Sequence, residues 1–114
     1  MALSAYAIMR SGEIERGTAA LNASREAIDA LASKDLLNDQ FRYQRAVIAA
    51  IQAMAFAALS NDPSASASDR RKHFEKAEAY LAEAEEFARA AKTKEPESYL
   101  KAARAEVVVA RGKL

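Results

Sequence analysis

The stretch Arg45 to Leu59, RAVIAAIQAMAFAAL, limits what this chain can fold into more than any other. From Ala46 onward only Gln52 is polar, and a helix that is apolar all round must be buried all round. At 1.5 Å per residue it spans only about 20 Å, short of the ~20 apolar residues that cross a bilayer. Arg42 and Arg45 precede it and Asn61 and Asp62 follow. It is predicted to be a core helix surrounded by other helices.

The rest of the chain supplies those neighbours. Its 114 residues make one domain, with about a quarter alanine, 3 Gly and 2 Pro, a composition that favours helix nearly throughout. Leu3, Tyr6, Ala7 and Ile8 predict a short N-terminal helix to about Arg10, followed by a turn at Ser11-Gly12. Ile14, Leu21 and Ile28 recur at intervals of seven and, with Leu31, place one apolar stripe on the next helix through Ala32. Gly17 lies on or beside that stripe, where another backbone is expected to come close.

After a break at Ser33-Lys34-Asp35, Asp35 or Asn38 caps the central helix, which ends at Ser60. Residues 60–68, SNDPSASAS, are small and polar, and read as a flexible loop open to proteolysis. Ser66 or Ser68 caps a third long helix from Asp69 to about Lys92. Its Phe74, Ala77, Leu81, Ala84, Ala88 and Ala91 form a heptad seam, flanked by Tyr80 and Phe87. Pro96 fits the first turn of a fourth, striped by Leu100, Ala103, Val107 and Ala110 and stopped at Gly112. Tyr99, Val108 and Val109 give this helix more apolar surface than one seam consumes.

Several chemistries are excluded or disfavoured. The chain has no cysteine, so it has no disulfide, thiolate metal site or cysteine nucleophile. The lone histidine, His73, lacks the Glu-x-x-His spacing of helical di-iron sites. No H-E-x-x-H, Walker loop, G-x-S-x-G or dinucleotide-binding glycine pattern occurs. Glu75, Glu78, Glu83, Glu85 and Glu86 interleave with Lys76 and Arg89, the pattern of a solvated helix face, with Glu85 and Arg89 at i,i+4. No catalytic residue, cofactor or metal is expected.

The 17 basic and 16 acidic residues nearly cancel, so nucleic acid would need a local patch. Arg70, Arg71, Lys72 and Lys76 form one at the start of the third long helix, where cations oppose the helix dipole. The N-terminus lacks the charged start and long apolar run of a secretory signal, so a cytoplasmic location is expected.

Ala5-x-x-Ile8, Gly12 and Gly17-x-x-x-Leu21 resemble the end of the first helix, the turn and the second helix of a tetratricopeptide (TPR) hairpin. Ala84-x-x-x-Ala88 with Pro96, and Ala105-x-x-Val108 with Gly112, resemble further parts of that pattern, although Lys101 and Arg104 stand where the family prefers Trp and Leu. The resemblance implies a groove lined from the first helix of each pair, here by Arg42, Arg45, Gln52, Lys101 and Arg104.

The chain is accordingly expected to be all-α, with antiparallel hairpins in a TPR-like stack or a four-helix bundle. Its expected role is a non-catalytic protein–protein interaction module or subunit, contacting a partner or another copy through Val108 and Val109. The alternative is a small helical nucleic-acid-binding subunit that uses the basic cluster.

Overall fold

The computed structural model describes residues 14–34, 39–90 and 97–114. The described residues are 91% helical and contain no strand. We number the helices α1 (Ile14–Lys34), α2 (Asp39–Ser60), α3 (Ala67–Ala90) and α4 (Glu97–Gly112). The expected N-terminal helix, the Ser11-Gly12 turn, the caps Asp35 and Asn38, and Ala91, Lys92 and Pro96 lie outside the described residues.

Cross-helix contacts give the directions. Arg25 and Asp29 of α1 meet Gln52 and Arg45 of α2, an antiparallel pairing. Phe56 of α2 faces His73 and Tyr80 of α3, while Arg45 reaches Phe87, so this pair is antiparallel too. Glu78 and Glu85 of α3 pair with Arg111 and Arg104 of α4. Consequently α2 and α4 run parallel, side by side, with α3 packed antiparallel against both.

Helix α2 is the hub, in close approach to each of the other three. Among the described residues the backbone of α1 comes close to that of α2 alone, with only the Arg25 side chain reaching α3, so the four helices do not close into a ring. From Ala46 to Ser60 only Val47 and Ala58 are less than fully buried, which satisfies the demand made by the apolar run. Ala49, Ala50, Ala53 and Ala57 have no exposed surface, nor do Ala77 and Ala84 of α3 or Ala103 and Ala110 of α4. Methyl-sized side chains on facing helices allow the axes to approach closely.

The apolar stripes fall largely where their spacing puts them. Leu100, Ala103, Val107 and Ala110 of α4 are all buried, as are Leu21, Ile28 and Ala32 of α1, and Gly17. Leu31 departs from expectation at 49% exposed. The buried line of α1 follows Leu21, Ile28 and Ala32, and Leu31 falls at its edge, where the seam with α2 opens. On α3, Phe74, Ala77 and Ala84 are buried, while Leu81, Ala88, Tyr80 and Phe87 pack partly buried against the core.

Local hydrogen bonds set the helix ends. The Ser66 hydroxyl accepts from the Asp69 amide at 3.1 Å, capping α3, which therefore begins at Ala67. In the loop before it, the Asp62 carboxylate accepts from the Ser64 amide at 2.9 Å and hydroxyl at 2.7 Å. These two bonds hold the Asp62 carboxyl below its ordinary pKa of 3.8. The small, polar loop is thus closed by its own hydrogen bonds, an Asx-type turn. Of the described helices, none is long and apolar enough to cross a membrane.

Candidate interaction surface

Helix α4 is apolar on two sides. Its inner stripe is consumed by α2 and α3, yet Val108 is 63% and Val109 52% exposed on the outside. Ala102, Ala105 and Gly112 share that exposure. Ala102, Ala105, Val109 and Gly112 follow a 3, 4, 3 spacing, a second seam on the outer face. A Cβ built on Gly112 would meet nothing within 4 Å, so the end of this seam is open. At its edge Val109, Ala105 and Glu106 line a groove of about 300 Å³ with Ala58 of α2 and Asn61 just after it. The buried Oδ1 of Asn61 has no hydrogen-bond partner.

The residues expected to line a groove on the first helix of each pair are mostly engaged within the chain. Gln52 is 2% exposed, and its Oε1 accepts from Nη1 of Arg25 at 3.0 Å. It is the one polar group in the apolar run, and a buried amide requires such a partner. Arg45 donates to Asp29 at 2.7 Å, and Arg42 donates to the Ala90 carbonyl at 3.3 Å, near the end of α3. Arg104 donates to Glu85 at 2.9 Å. Glu85 thus pairs across helices, a contact its i,i+4 spacing to Arg89 did not signal. Lys101 is exposed on α4.

The basic cluster divides in the same way. Arg70 donates from Nε to the Ser60 carbonyl at 2.9 Å and from Nη2 to the Lys113 carbonyl at 3.2 Å, tying the end of α2 and the chain beyond α4 to the start of α3. A cation at the C-terminal carbonyls of a helix is favourably placed, which explains an arginine that its own helix disfavours. Lys76 extends over the Phe56 ring, with Nζ 5.3 Å from the centroid. Arg71 and Lys72 are exposed. Lys72, His73 and Lys76 line a groove of about 380 Å³ together with Asp69 and Glu75, so its charge is mixed.

His73 is part of an aromatic stack between α3 and α2. The Phe56 ring stacks with the His73 ring, centroids 5.9 Å apart, and with that of Tyr80, 5.5 Å apart. The spacing His73, Lys76, Tyr80 puts all three on the side of α3 that faces Phe56. Burial, and secondarily the nearby Lys76 charge, push the imidazole below its ordinary pKa of 6.5, against the pull of Asp69 and Asp62.

A further polar cluster went unseen in the sequence. Between α1, α2 and α3, Arg25 pairs with Glu83 and Asp29, and Arg45 pairs with the same Asp29. Both guanidinium groups lie over the Phe87 ring, at 5.5 and 5.4 Å. Two signals for it were present: the i,i+4 pair Arg25 and Asp29, and a lone Gln52 that needed a donor.

Compared with protein-family models, curated proteins and solved structures, the chain matches none.

Proposed function

We propose that this chain is a non-catalytic protein–protein interaction module that docks through the outward face of α4. The observation that carries the reading is the adjacent pair Val108 and Val109, more than half exposed on a helix whose opposite face is fully used. Exposed apolar side chains grouped on one face, rimmed by polar ones, mark contact surfaces more often than the same residues scattered singly. We propose a TPR-like stack as the architecture. The parallel neighbours α2 and α4, with α3 packed across both, support it, because α4 then stands as the first helix of a further hairpin, with its outward face turned to where a second helix would pack.

The nucleic-acid reading has less support. Arg70 is committed to two carbonyls of its own chain, and Asp69 and Glu75 stand among the remaining cations. Binding carried by phosphate contacts would fall steeply with salt.

Sedimentation velocity on the wild type and on a Val108→Arg/Val109→Arg variant tests the proposal. Expected is a larger species for the wild type, alone or with its captured partner, and a smaller, equally helical species for the variant. A wild type that stays monomeric and captures the same proteins as the variant would overturn it.

A further inference from the structure

The attachment of α1 differs from that of the other three described helices. Among the described residues it contributes only Leu21 to the buried core cluster, with Ala20 packed against it. Ile28 and Ala32 of α1, and Ala46 and Ile48 of α2, are buried but stand apart from that cluster. Beside them the seam with α2 opens into a groove of about 380 Å³, lined by Ser24, Ala27, Ile28, Leu31, Val47 and Ile48 among others. Inside the seam the Ser24 hydroxyl is buried and has no hydrogen-bond partner.

Polar side chains hold this helix instead. Arg25 reaches across to Glu83 and Phe87 of α3 and to Gln52 of α2, while Asp29 takes the Arg45 guanidinium. The charged groups number two of each sign and neutralise one another. Their side chains retain 19–41% exposure, which leaves part of the network open to water and salt although Arg25 Nε and Glu83 Oε1 are themselves buried. Exposed to that degree, such pairs are screened, unlike an apolar seam.

We infer that α1 is a releasable helix, clasped by the Arg25, Asp29, Arg45 and Glu83 network, which opens as a unit while α2, α3 and α4 remain folded. Opening exposes the α1-facing side of α2, with Ile48 and Gln52. Cooperative units that open below the global unfolding free energy are a general property of domains. The clasp makes this one sensitive to ionic strength. The inference is independent of docking through α4.

Native-state hydrogen exchange on the intact chain, resolved by NMR, tests it. Amides of residues 21–32 are expected to exchange through an opening shared among themselves and more frequent than that of residues 49–57. Raising NaCl from about 0.1 to about 1 M shortens the screening length from about 10 to about 3 Å and should selectively lower protection in α1. Glu83→Gln should lower α1 protection roughly two- to fivefold and leave residues 49–57 unchanged. Glu78→Gln, at the exposed α3–α4 pair with Arg111, is the control and should leave α1 unmoved. One opening equilibrium for all helices would overturn the inference, as would equal effects of Glu83→Gln on α1 and α2, or unfolding of the whole chain by that variant.

Discussion

The two sides of α2 are held by different physics. Towards α3 and α4 its surface is alanine, isoleucine, methionine and phenylalanine with no exposed area to speak of, met by Ala77, Ala84, Ala103 and Ala110. Towards α1 the core contact is Leu21, and beyond it Ile28 and Ala32 are buried between an ionic network at Arg25 and Asp29 and an open groove that runs beside it from Ser24 to Leu31. Dispersion and burial grow with contact area and tolerate no voids, whereas partly exposed ion pairs contribute about 0–1 kcal/mol each and weaken with salt. One helix can therefore anchor a rigid unit on one side and a detachable neighbour on the other.

The harshest way to break this comparison is Ile51→Asp. An unpaired carboxylate there, at a position with no exposure, costs several kcal/mol, comparable to the whole stability of such a domain. Circular dichroism should show an unfolded chain at 25 °C. A folded variant with a melting temperature within a few degrees of the wild type would mean that α2 is not the hub.

Arg70→Met sharpens the comparison at the end where α2, α3 and the chain after α4 converge. It keeps the aliphatic stem and removes both donors, so a loss of about 1–2 kcal/mol in urea unfolding is expected, less than two fully buried charged hydrogen bonds would give. No loss would show the two carbonyls to be as well served by water.

His73 probes the α2–α3 side by pH. Its folded pKa lies below the ordinary 6.5, so protonation favours the unfolded chain. Stability should be unaffected well above 6.5 and fall as pH drops through that value towards the lower folded one. His73→Gln should flatten this part of the melting-temperature profile. A wild-type profile no steeper than that of the variant between about pH 7.5 and 5.5 would contradict the assignment.

The smallest effect is expected from Glu85→Ala. Its pair with Arg104 is half in solvent, and a few tenths of a kcal/mol up to about 1 should be lost. A loss well beyond that would mean that α3 and α4 rely on ions as α1 does.

How much of this was legible in the sequence follows the same division. Periodicity located what burial enforces: the stripe of Leu100, Ala103, Val107 and Ala110, the end of α2 at Ser60, and the outward pair Val108 and Val109. It misplaced Leu31, because a stripe predicts which face is covered but not how far the cover extends. Long polar side chains were the least legible. Arg45, Gln52 and Arg104 looked like groove residues, and Arg70 like part of an anion-binding patch, yet each has partners on another helix or at a helix end. Their reach of several ångströms lets them bond to any of several neighbours, and only the packing of the helices selects which.

The most direct test of the two-sided α2 is a matched pair of deletions, Ile28→Ala and Ile51→Ala, compared by urea unfolding. Both remove the same atoms from buried positions, 4% and 0% exposed, but Ile28 adjoins the open groove while Ile51 sits in the core cluster. Ile→Ala costs about 2–5 kcal/mol depending on how well the site can collapse. Ile51→Ala should fall in the upper part of that range, and Ile28→Ala at or below its lower end, because the global loss is limited to what docking of α1 contributes. Equal losses, or a larger one at Ile28, would show that α1 is as firmly built into the core as α3 and α4.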